Sequence, residues 1–160
     1  MISTAVPSPS PLLQLVDAAR VALDQLLQLL LQEQELLTQN KIDQLAALAA
    51  QKQQCASQAE AAGERLQTAL GALGVGSDTD VGAWLQQYAP DALEAWQQLR
   101  ETARQAEIYN RSNGMLIETR RQLLDHFVSQ LASARGDALS YSNTGRLRGG
   151  SGGSFSRDKI

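Results

Sequence analysis

The chain has 160 residues, of which 4% are aromatic, with one histidine, one cysteine and a net charge of −3. One domain is expected at this length, and the lone Cys55 excludes an intramolecular disulfide and suits a reducing compartment. Residues 1–140 carry 16 acidic and 10 basic side chains, so the body repels nucleic acid, and the four bases of 141–160 are too sparse for a strong phosphate-binding arm.

Met1 to Pro11 has neither the basic nor the apolar region of a secretory signal. The longest strongly apolar run, Leu26–Leu31, is interrupted by Gln28 and is far short of the ~20 residues of a membrane span. A cytoplasmic protein is expected. Ala, Leu and Gln dominate, and such side chains lose little rotamer freedom in a helix. The fold class is therefore all-α, with a long antiparallel helical hairpin or three-helix bundle over 1–140 and a disordered tail over 141–160.

Pro7, Pro9 and Pro11 alternate with serines, which makes residues 1–9 a disordered lead-in. Ser10 and Pro11 then have the chemistry of an N-cap and first helical residue. Leu12, Leu15, Val16, Ala19, Leu23, Leu26, Leu27 and Leu30 recur at helical spacing and give one broad apolar face. The pattern fades at Thr38-Gln39-Asn40, where the helix bends or ends.

A second helix carries a seam that runs from Ile42 through Leu45, Ala49, Lys52, Ala56, Ala59, Gly63 and Leu66 to Leu73 in steps of three and four. Its middle is small or polar, so it either packs backbone to backbone or stays open. Gly74, Gly76, Ser77 and Asp78 end it. A short helix is expected over Asp80–Ala89, and Pro90 opens the longest helix, with Asp91 and Glu94 near its positive end. That helix should stop near Gly136. Either the first or the second helix should pair with it as the antiparallel hairpin.

Little of this sequence has catalytic character. His126 has no nucleophile and orienting group identifiable around it, and Cys55 is more simply a small boundary residue. One His and one Cys give no metal-ligand cluster, and the acids Glu33, Glu35, Glu60 and Glu64 fit a solvated face. The Gly-rich stretch 145–153 lacks the strand and helix of a phosphate cradle. No enzyme activity, cofactor or metal is expected.

The unusual segment lies on the long helix. Asn110 and Asn113 fall on its apolar seam, where an amide is costly unless it finds a partner. They either fix helix register inside the protein or mark where a partner helix docks. Gly114, mid-helix at a cost of about 1 kcal/mol against Ala, suggests close backbone approach or a bend. Leu116, Ile117, Leu123, Leu124, Phe127, Val128 and Leu131 follow on a wide apolar face. This face serves either as core or as a surface for a foreign amphipathic helix.

Asn110-Arg-Ser-Asn-Gly-Met-Leu-Ile resembles the N-x-x-N-G-x-L-[IL] segment of the FlgN family of flagellar type III export chaperones. Tyr141-Ser-Asn-Thr-Gly145 resembles that family's Y-G-x-x-G element, with Ser142 in place of the first Gly. The Leu-rich first helix ending in Gln-Glu-Gln-Glu and the second helix with Lys52 agree in layout, so the likeness spans nearly the whole chain. The resemblance implies a cytosolic chaperone for the hook–filament junction proteins, hook-associated proteins one and three. Such a protein binds the C-terminal helical regions of its cargo, prevents their premature assembly, and delivers them to the flagellar export gate. The expected cargo-binding residues are Asn110, Asn113, Gly114, Leu116, Ile117, Leu123, Leu124, Phe127, Val128 and Leu131. By the resemblance, Tyr141 and Gly145 would dock to the gate. From the residues alone, a self-associating coiled-coil adaptor subunit is the alternative.

Overall fold

The computed structural model describes the backbone of residues 10–146 and the side chains of residues 10–134. Four helices and one 3₁₀ turn follow in order: α1 (Pro11–Thr38), α2 (Ile42–Ala72), α3 (Val81–Tyr88), the 3₁₀ turn Pro90–Ala92 and α4 (Leu93–Arg146). The all-α expectation holds. The expected lead-in 1–9 and most of the expected tail, 147–160, lie outside the described residues.

The helix ends follow local chemistry. Ser10 caps α1, its Oγ accepting from the Leu13 N–H at 3.1 Å, with Pro11 at the first helical position. At the other end Asn40 takes a left-handed φ of 59°. The Lys41 N–H then donates to the Leu36 carbonyl at 2.9 Å and the Asn40 N–H to that of Leu37 at 3.3 Å. Gly74 repeats the device after α2 with a φ of 82°. The Val75 N–H donates to the Leu70 carbonyl at 3.0 Å, and both side chains are buried in the same core cluster. Asp80 caps α3 by accepting from the Ala83 N–H at 3.2 Å.

Two compact units are present, Met1–Ile117 and Glu118–Ile160. In the first, the turn at Gln39–Lys41 folds α2 back on α1 as an antiparallel hairpin. Leu12, Val16 and Ala19 meet Ala62, Leu66 and Leu70 in a core that Val75, Leu85, Ala92 and Ala95 close at one end. A second cluster of Leu27, Leu30 and Ala106 joins α1 to α4, with Tyr109 packed against it.

The direction of α4 corrects one of the two pairings left open for it. Thr102 Oγ1 donates to Asp24 Oδ1 at 3.0 Å, and Gln34 Nε2 to Ser112 Oγ at 3.4 Å, each pair separated by 78 positions. A constant offset means that α4 runs parallel to α1 and therefore antiparallel to α2, so of the first two helices only α2 runs opposite to the long helix. The cause is the 73–92 connection, which closes the end where α1 begins and starts α4 there.

A second correction concerns Gly136. α4 continues through it to Arg146. A single mid-helix glycine costs only about 1 kcal/mol, and the neighbouring Ala134, Arg135, Ala138 and Leu139 are good helix formers.

Candidate functional site

The offset between α1 and α4 sets out the candidate surface. Thr38, the last residue of α1, comes level with about Leu116 on α4. Before that point the inward face of α4 carries Ala106 and Asn113, both buried. Further along α4, Leu124, Phe127 and Leu131 are 65%, 59% and 67% exposed. Ile117, Leu123 and Val128 are also exposed, and Leu116 is half-buried. At 3.6 residues per turn the apolar positions from Leu116 to Leu131 cover about 140° of arc. A stripe this wide is core-forming in character. Among the described residues this stripe is largely exposed.

The polar flank of that stripe is fixed by pairs along the helix. Arg121 binds Glu118 through two contacts of 2.9 and 3.0 Å and Asp125 at 3.1 Å. The hydrogen bond from Arg121 holds the Glu118 carboxyl below its ordinary range, with Gln122 adding to it.

The two asparagines separate. Asn113 is 1% exposed. Its Nδ2 donates to the Leu30 carbonyl at 2.8 Å and to Glu33 Oε2 at 2.9 Å. The other Glu33 oxygen, Oε1, takes Lys52 Nζ at 2.7 Å. One buried carboxylate therefore ties α1, α2 and α4 together. Asn113 acts inside the body, by the register-fixing route, while Asn110 is exposed at the surface. Gly114 is exposed too, and a Cβ added there meets nothing within 4 Å. No close approach within the body explains this glycine.

Glu33 was the residue that sequence reasoning missed. It sits among glutamines, which suggested a solvated face, yet it is 5% exposed. The available signal was its spacing: Leu30, Glu33 and Leu37 follow in steps of three and four, which places the carboxylate on the buried stripe. Lys52, on the seam of α2, is its counter-charge.

His126 is exposed, with Nε2 at 3.0 Å from Gln130 Nε2, and Cys55 is half-buried in the other compact unit. Among the described residues no group of three His, Cys, Asp or Glu could hold a metal ion, and no helix is long and apolar enough to cross a membrane. Tyr141 and Gly145 belong to the helical backbone of α4, and their side-chain surroundings lie outside the described residues.

The described residues form a helical protein with a broad apolar face exposed on α4. A family model described as FlgN protein matches residues 8–149, most of the chain, and the chain belongs to the FlgN family, which makes it a flagellar export chaperone. No curated protein and no solved structure matches it.

Proposed function

We propose that this chaperone binds the C-terminal helical regions of hook-associated proteins one and three on the 116–131 face of α4. It keeps them from assembling early and hands them to the flagellar export gate in the cytoplasm. The exposure of Leu123, Leu124, Phe127, Val128 and Leu131 on one helix face carries this proposal. An amphipathic cargo helix laid on that stripe buries its own apolar face at the same time. Each large aliphatic side chain moved from water to a packed interface contributes roughly 1.5–3 kcal/mol.

The mechanism needs no catalytic group. Cargo is shielded while bound and is released at the gate, where Tyr141 and Gly145 are the proposed docking residues. Asn110, Gly114, Leu116 and Ile117 are proposed cargo contacts as well. Asn113 supports the surface from within by fixing α4 on α1.

Co-purification with the C-terminal helical segments of the two hook-associated proteins tests the proposal. The wild-type chain is expected to retain each segment, and Leu124→Asp to lose it by at least about a hundredfold in affinity, because a charge then enters an apolar contact. No retention by the folded wild-type chain would remove the proposal. The alternative, a self-associating adaptor, would then lead if sedimentation found a stable oligomer.

A further inference from the structure

The small-residue seam of α2 lines an open trough in the body. About 480 Å³ of space near Trp96 and Leu99 and about 400 Å³ near Leu26, Leu30 and Asn110 share Leu23 and Ala103, and so form one channel between α2 and α4 with α1 as its floor. The walls are short side chains, with Ala56, Ala59 and Gly63 on α2 facing Ala103 and Ala106 on α4. A Cβ placed on Gly63 meets nothing within 4 Å, so the neighbouring helices leave this space unfilled. The α2 wall runs from Lys52 to Leu70, which at 1.5 Å per residue is about 27 Å, the length of a five-turn helix. Walls of alanine and glycine with leucines at the floor suit an incoming helix that brings large side chains of its own.

The rim indicates which helix. Glu60 and Glu64 stand exposed along the α2 edge, and neither carboxylate has an ion-pair partner among the described residues. Across the trough α4 carries Arg100, and Glu107, which Arg111 holds, while Lys52 at the end of the α2 edge is held by Glu33.

We propose that the trough is a second docking site, separate from the 116–131 face, for one amphipathic helix of another protein with large aliphatic residues on its buried face and a basic flank along α2. The occupant would complete a four-helix bundle with α1, α2 and α4.

The test uses the full chain and two labelled synthetic 18-residue helical peptides with identical leucine positions, one with a lysine flank and one with a glutamate flank. Fluorescence anisotropy should show the lysine peptide binding at least tenfold more tightly. Gly63→Trp fills the channel without a backbone clash and should abolish binding while melting as the wild type does. Glu60→Lys with Glu64→Lys, at exposed positions that do not threaten folding, should reverse the preference between peptides. Leu124→Asp should leave binding unchanged. Equal affinity for both peptides, no binding of either, or loss of binding in Leu124→Asp would overturn the proposal. So would a concentration-dependent dimer, seen by sedimentation of the chain alone and dispersed by Gly63→Trp, because the occupant would then be a second copy.

Discussion

Asn113 shows how one polar side chain sets a register. Its amide meets a backbone carbonyl and a carboxylate that is itself neutralised by Lys52, so a buried charge is hydrogen-bonded from two sides rather than stranded. Asn113→Ala removes both bonds and leaves Glu33 with half of its partners. Urea denaturation should show a loss of about 1–3 kcal/mol. The acid–base pairs on the surface act differently. The Arg104 hydrogen bond, with Gln105 assisting, draws the exposed Glu101 carboxyl down to about 2 from its ordinary 4.5. A depressed carboxylate stabilises the fold above its unfolded pKa, and that contribution disappears as pH falls from about 4.5 through about 2. Solvent screening keeps the contribution small. An NMR titration of Arg104→Gln should find Glu101 titrating back toward 4.5. The amide pair was legible in the sequence as a costly polar insertion, but the choice between Asn110 and Asn113 was not. Seam spacing gave both the same status, and only the presence of Leu30 and Glu33 beside position 113 decides between them.

At the scale of the element, caps and punctuation predict more than seams do. Ser10-Pro11, Asn40, Gly74 and Asp80 each act as their chemistry requires, because capping depends on a few adjacent residues. The seam of α2 was less informative. Ile42 and Leu73, at its ends, are exposed, while Leu48 and Ala62 beside it are buried. Heptad spacing fixes a stripe only to within a residue or so, and the packing of α1 selects which neighbour turns inward. The two glycines of this region should respond oppositely to alanine. Gly74→Ala forces a side chain into a φ of 82° and should lower stability by about 1 kcal/mol. Gly63→Ala meets open space and should raise it by up to about 1 kcal/mol through helix propensity. Thermal melts of the two variants measure both.

For the whole molecule, the all-α class and the hairpin character follow from composition and periodicity, and the course of α4 does not. Its apolar face has one period from Trp96 to Leu131, and nothing in that pattern marks where α1 stops covering it. The length of α1 and the parallel offset mark the place, near Leu116. The division has an energetic counterpart, because every buried residue among the described ones lies at or before Asn113. Residues 1–117 therefore hold the described core, and the stripe beyond them is the proposed binding surface. The direct measurement is calorimetric titration of the C-terminal helical segment of a hook-associated protein into the full chain and into residues 1–117. The account predicts helicity and cooperative melting for residues 1–117, tight binding by the full chain, and no detectable binding by the shortened one. Equal affinity in the two would contradict it and move the cargo site off the distal part of α4.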